Sequence, residues 1–199
     1  MQKRLSIEAP INLPPPQEPP AIVFNIPSQP SKSFANYYKQ QNQGQNFNLT
    51  QDFINYIAKV ENSVRAGFKN GRWYPHKSVE GGLPTIAYGH KLKQGENYSA
   101  GISDTQATQL LLQDIKNAAE AAKRLINHEF GSGAWEKLDN TRKEMLVDFA
   151  FNGVLNKFPL FRQSVVGNDI NLMRKEYKRY TKGKELKNRN AVFFTRYLN

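Results

Sequence analysis

Trp73-Tyr74-Pro75-His76-Lys77-Ser78-Val79-Glu80-Gly81-Gly82-Leu83-Pro84-Thr85-Ile86-Ala87-Tyr88-Gly89-His90 packs a carboxylate, two imidazoles, hydroxyls and flexible glycines into eighteen residues. Just upstream, Asn70-Gly71 stands between Phe68 and Trp73-Tyr74. That dipeptide tolerates the positive φ values of a tight two-residue turn and so predicts a β-hairpin. Thr85-Ile86-Ala87-Tyr88 reads as a further short strand, set off by Gly81-Gly82 and Pro84. Outward on the N-terminal side, Asn48 and Gln51 have capping-box spacing, and Phe53, Ile57 and Val64 share a helical face, so a helix is expected over about 49–65. Glu61 lies four residues after Ile57 and three before Val64, on that apolar stripe. A carboxyl held there would resist ionisation and suit a general acid; alternatively it would serve only to pair a buried arginine.

On the C-terminal side the pattern becomes helical. Ser103-Asp104-Thr105-Gln106 is a capping box with Ile102 and Ala107 at the staple positions. It opens a helix carrying Leu110, Leu111, Ile115, Ala118, Ala122 and Leu125. Thr141-Arg142-Lys143-Glu144 starts another, with Met145, Leu146, Phe149 and Ala150, and helical spacing recurs over 169–181 and 185–198. A helix, a small antiparallel sheet and then several helices make an α+β fold with a helix-rich lobe. The first 48 residues differ. Eight of the eleven prolines fall within residues 1–30, and Ser28 to Asn48 is mostly polar, so residues 1–48 read as an extended arm preceding a domain over 49–199. Ala21-Ile22-Val23-Phe24-Asn25-Ile26 is apolar enough to add to a partner's sheet edge, which would make the arm an anchor.

The chain of 199 residues has a net charge of +11 and no cysteine. A disulfide scaffold, a thiol nucleophile and a cysteine zinc site are therefore excluded. No apolar run approaches the roughly 18 residues that cross a bilayer, and the basic N-terminus develops no apolar core, so neither membrane insertion nor a cleaved secretory signal is expected. The charge points to a polyanionic partner: nucleic acid, an acidic membrane or an acidic wall polymer. Residues 168–199 hold nine lysines and arginines against three acids, and Arg174, Lys175, Lys178 and Arg179 recur at helical spacing as a basic face. No zinc-finger, RNA-recognition or P-loop pattern accompanies them, which disfavours nucleic acid. His76, His90 and His128 fit no metal-ligand spacing, so no metal or cofactor is expected.

Glycoside hydrolysis needs an acid on the leaving oxygen and a second group that stabilises the oxocarbenium or activates water. Glu61 and Glu80 could form that pair, with Thr85 hydrogen-bonding the water. Trp73, Tyr74 and Tyr88 could stack on sugar rings, although Trp73 would equally serve to cover the hairpin.

In these residues the chain resembles the lysozymes of the phage T4 type. Their signature is a helix-borne Glu, a hairpin with an acidic residue, and Thr-Ile-Gly-x-Gly-His. Thr85-Ile86-Ala87-Tyr88-Gly89-His90 matches the last part, with Ala87 in place of the first Gly. The likeness continues in order through Ser103–Ala107 and Leu111–Asp114, then Leu146-Val147-Asp148-Phe149-Ala150-Phe151-Asn152-Gly153, then Asn188-Arg189-Asn190-Ala191. It implies a lysozyme-like fold and a muramidase cleaving the β-1,4 bond between N-acetylmuramic acid and N-acetylglucosamine in peptidoglycan. Glu61 then maps to the acid, Thr85 to the family's catalytic Thr, and Asn152 to the cleft-side end of the buried helix. Glu61 and Thr85 are 24 apart where about fifteen is usual in the family, so the hairpin carries an insertion and Glu80 is the nearest acid. His76 or Ser78 is the alternative second group, and His90 is expected to shape the site. A virion-borne enzyme docked through its arm, or an endolysin made in the host cytoplasm, would act at the host wall. The rival readings are a non-catalytic wall-binding or virion module and a nucleic-acid-packaging protein.

Overall fold

A computed structural model describes residues 47–78 and 84–199. The arm through residue 46 and the segment 79–83, which contains Glu80, lie outside the described residues. The domain is an α+β assembly. Helix α1 (Gln51–Asn62) leads into a hairpin of β1 (Phe68–Lys69) and β2 (Arg72–Trp73), then a sheet of β3 (His76–Lys77), β4 (Pro84–Ile86) and β5 (His90–Lys91). The helical lobe follows as α2 (Asp104–Phe130), α3 (Asn140–Phe151), a short 3₁₀ turn over Leu155–Lys157, α4 (Pro159–Gly167) and α5 (Ile170–Glu176). A hairpin of β6 (Tyr180–Thr181) and β7 (Lys184–Glu185) returns the chain into α6 (Lys187–Tyr197). Among the described residues no helix is long and apolar enough to cross a membrane.

The first described residues, ahead of the expected boundary, already pack on the domain. Phe47 is buried against Phe53 and Trp135, with ring centroids 5.8 and 6.5 Å away, and the Asn48 amide donates to Asn140 Oδ1. Asn48 is thus spent on α3, and Thr50 caps α1 by accepting from the Phe53 amide. The helix ends at Asn62, short of Val64, whose side chain is consequently 79% exposed rather than on the core stripe.

The two strongest local signals are realised. Asn70 and Gly71 both adopt positive φ, joining Phe68 to Trp73 across an antiparallel pair. Ser103 accepts from the Gln106 amide while the Gln106 side chain accepts from the Ser103 amide, and Ile102 and Ala107 are buried beside them. The backbone of Ile102 bridges Trp73 in both directions at 2.8 Å, tying the start of α2 to the hairpin. Where a strand over 85–88 was expected, β4 stops at Ile86 and the chain turns at Ala87 to Gly89 before β5.

Helix α3 is the centre of the lobe. Its seven consecutive residues Lys143 to Phe149 are all buried, a pattern that only a helix surrounded on every side can satisfy. Phe149 stacks on Phe161 at 4.1 Å and meets Phe193 edge-on at 5.3 Å. The C-terminal segment departs most from its expected helices. In place of a helix through Thr181, α5 ends at Glu176 and the β6–β7 hairpin intervenes, its turn made by Lys182 and Gly183 at positive φ. Arg179 is therefore not on a solvated basic face: it is 1% exposed. Arg174 remains exposed, its Nε donating to the Leu198 carbonyl.

Candidate active site

A cleft of about 570 Å³ runs between the end of α1, the β3–β5 sheet, the end of α3 and the segment 185–189. It brings together Glu61, His76, Ser78, Thr85, Gly89, Asn152, Glu185 and Arg189. Residues distant in the chain therefore share one cavity, and Glu61 lies 128 positions from the arginine it touches.

Glu61 is 17% exposed, on the wall of the cleft. Its Oε1 accepts from Arg189 Nη1 at 2.6 Å, so the arginine-pairing alternative describes its contact. Arg189 is itself shared, because Nη2 donates to Asp148 Oδ1 at 2.8 Å. Asp148 has no solvent exposure, and its other oxygen accepts from Arg179 Nη2 at 3.1 Å and from the Tyr56 hydroxyl at 2.9 Å. Burial alone would push the Asp148 carboxyl up. The Arg179 and Arg189 charges and their hydrogen bonds outweigh it and hold the group below the usual carboxylate range. Burial and the Asp148 charge keep the Tyr56 phenol protonated well beyond its ordinary range. Arg179 also lies over Phe149 and Phe193, 4.3 and 5.0 Å from the ring centroids.

Asn62, next to the candidate acid, fixes α1 to the sheet. Its Nδ2 donates to the Ala87 carbonyl at 2.7 Å and to the Ala66 carbonyl, and its Oδ1 accepts from the Ala66 amide. Ala87 has φ +53, a left-handed conformation that costs an ordinary residue about 1–2 kcal/mol. This is the position where the resembling lysozymes carry glycine, and the buried Asn62 bond offsets the strain here. Gly89 has φ +85, and a Cβ built on it would sit 3.3 Å from Glu61 Oε2. The second oxygen of Glu61 thus lies beside a glycine of the cleft wall.

Thr85 is buried at the cleft, its Oγ1 donating to the His76 carbonyl at 3.3 Å across the β3–β4 pair. His76 Nε2 and Asn152 Oδ1, both on the cleft lining, are buried without a hydrogen-bond partner among the described residues. Glu80 lies outside the described residues; Ser78, on the near side of that segment, lines the cleft.

Three of the expected sugar contacts are placed elsewhere. Trp73 is fully buried, with Nε1 donating to Asp104 Oδ1 at 2.6 Å and its ring 4.9 Å from Phe68, so it covers the hairpin. Tyr88 is buried against Trp73 at 5.1 Å and does not line the cleft. His90 is buried behind the sheet, its Nδ1 at 2.8 Å from Asp114 Oδ2 and its Nε2 at 3.1 Å from Glu96 Oε2. It braces β5 against α2, consistent with shaping the site from behind. No group of three metal-ligating side chains occurs among the described residues.

Sequence reasoning missed Glu185, Asn62, and the roles of Asp148 and Arg179. Asp148 had a signal: a lone acid within the otherwise apolar run Met145–Ala150 must find cations once that run is buried. Glu185 had none, because its place on the cleft depends on the β6–β7 hairpin.

The profile of the family described as phage lysozyme matches residues 66–191, more than half of the chain. The chain belongs to the phage lysozyme family. It is accordingly a glycoside hydrolase whose substrate is peptidoglycan. No curated protein sequence matches it significantly. Among solved structures, its fold is similar to that of the muramidase domain of SpmX from Asticaccaulis excentricus. That pair has a TM-score of 0.52 and 18% identity over 77% of this chain and 99% of the other. An endolysin from Escherichia coli O157:H7 phage FAHEc1 aligns with a TM-score of 0.49 and 20% identity, over 77% of this chain and 94% of that one.

Proposed function

We propose that this lysozyme cleaves the β-1,4 bond between N-acetylmuramic acid and N-acetylglucosamine, with Glu61 as the general acid. The convergence of Glu61, Thr85 and Asn152 on one cleft, with Arg189 holding Glu61, carries the reading. Glu61 delivers its proton to the leaving sugar from the cleft wall, with Arg189 engaging Oε1 and Gly89 beside Oε2. Thr85 orients the attacking water from the sheet side, and His76 and Asn152 offer polar atoms to the substrate. Glu80 is the second carboxylate, stabilising the oxocarbenium or activating water. Glu185 is the competing candidate, since it and Glu61 are the carboxylates on the cleft lining among the described residues.

Digestion of peptidoglycan followed by end-group analysis tests this assignment. Products with N-acetylmuramic acid at the reducing end are expected; N-acetylglucosamine ends would refute the bond specificity. Glu80→Gln is expected to lower turnover by at least about 10²-fold, and Glu185→Gln by less than about tenfold. The reverse order would move the second role to Glu185.

The arm gives the enzyme a second attachment. Its proline-rich composition and apolar segment Ala21–Ile26 suit docking to a virion or tail protein, from which the enzyme would open the host wall locally during genome delivery. The +9 carried by residues 49–199 favours adhesion to an anionic wall. Deleting residues 1–46, which spares the buried Phe47, is expected to leave hydrolysis within twofold while abolishing incorporation into virions. Normal incorporation of the truncated chain would refute the anchoring role.

A further inference from the structure

Helix α1 ends in a braced turn that sets Val64 on the cleft lining. The Arg65 amide donates to the Asn62 carbonyl at 3.2 Å, closing a turn with Val64 inside it. Arg65 has φ +52, a left-handed conformation that ordinary residues avoid. Its side chain anchors the turn: the guanidinium lies 3.8 Å from the Phe68 ring centroid and 5.0 Å from that of Trp73, and Nη2 donates to Asp104 Oδ1. The Asn62 side chain meanwhile bonds both the amide and the carbonyl of Ala66. Val64 is 79% exposed, the highest value for a large apolar side chain among the described residues. Leu160, Ile170, Tyr180 and Val192 are exposed too, but of these five Val64 alone lines the cleft. A singly exposed apolar side chain is ordinary on a surface. One held by a strained turn on a substrate cleft, three residues past the candidate acid, is placed to touch what the cleft binds.

We propose that Val64 is a specificity-determining residue that receives the methyl group of a sugar's acetamido substituent. The inference rests on the muramidase reading, which puts the glycan in this cleft. The surroundings of Val64 select that ligand. Val60 and Ala66 line the cleft with it and add apolar surface, and Ser63 contributes a hydroxyl that can donate to or accept from an amide. An acetamido group joins one methyl to one amide, so it matches an apolar contact flanked by a hydroxyl. A sugar hydroxyl offers only the polar half. Covering the methyl with Val64 removes apolar surface from water on both sides of the contact, whereas an N-formyl sugar has no methyl to cover. The contact involves neither Glu61 nor Thr85, so it strengthens substrate binding without altering the chemical step.

Peptidoglycan that is N-deacetylated and then re-acylated with acetyl or with formyl groups gives two substrates differing by that methyl. Wild type, Val64→Ser and Val64→Ile should be compared on both. The wild-type KM is expected to be about three- to fivefold lower on the acetyl form, with kcat within about twofold, as the burial of one methyl group predicts. Val64→Ser should raise KM on the acetyl form by about the same factor and leave the formyl form unchanged, abolishing the preference. Val64→Ile should keep it. Val64 is exposed, so the three proteins should share one thermal midpoint. An equal loss on both substrates, which contact with a lactyl methyl or a sugar ring face would give, would overturn the proposal and leave the muramidase reading in place. So would a preference that survives in Val64→Ser, or its absence from the wild type. A wild type inactive on the acetyl form would overturn both.

Discussion

Glu61→Gln is expected to lower peptidoglycan hydrolysis by about 10²–10⁴-fold, the range typical of a lost general acid. The substitution keeps the shape of the side chain and leaves an amide oxygen that can still accept from Arg189. It removes the proton that must reach the glycosidic oxygen. Arg189 retains its bond to Asp148, so the buried cluster keeps a counter-ion, and the stability cost should stay near the 1.5–3 kcal/mol typical of a hydrogen bond to a charged group. A far-UV spectrum matching the wild type, together with binding to peptidoglycan that persists without turnover, would separate lost chemistry from lost folding. Activity within threefold of the wild type would refute Glu61 as the acid.

Asp148→Asn is expected to produce the largest loss of stability, about 3–5 kcal/mol, because it breaks a buried pair while leaving cations behind. Arg179 is 1% exposed, Arg189 is 8% exposed, and both depend on this carboxylate. An amide can accept from only one of its two terminal atoms, and it brings no charge. The pH dependence follows from the same cluster. The folded-state pKa of Asp148 lies below its unfolded value, so its contribution is fully present above about pH 4 and is lost as pH falls through the folded pKa. Chemical denaturation across that acid range should show the wild type losing stability more steeply than Asp148→Asn. Parallel curves would mean that Asp148 does not carry the acid sensitivity. Since Arg189 also holds Glu61, the variant should lose activity even at temperatures where it stays folded.

Local signals in the chain foretold local structure well. Asn70-Gly71 can adopt the two positive φ values a tight hairpin requires, and Ser103 with Gln106 can satisfy the first free amides of a helix, whatever surrounds them. Both features needed only neighbouring residues. Trp73 and Tyr88 were ambiguous for the opposite reason. An aromatic ring serves a sugar or a core equally well, and only the packing of Phe68, Ile102 and α2 around Trp73 decides between them. The β6–β7 hairpin was hidden because Lys and Arg spacing there also suits a helix, while Gly183 was its one local marker.

The sequence alone determined the fold class, the family likeness and the candidacy of Glu61 and Thr85, because capping, turn chemistry and motif order are properties of the linear chain. Tertiary structure decided what Glu61 touches, which carboxylates share its cleft, and where the positive charge goes. Burial and charge pairing depend on residues brought together from distant positions. In the chain Asp148 is marked only as a lone acid among apolar residues; inside α3 it is the anion that two arginines and a tyrosine converge on, and through Arg189 it reaches the candidate acid.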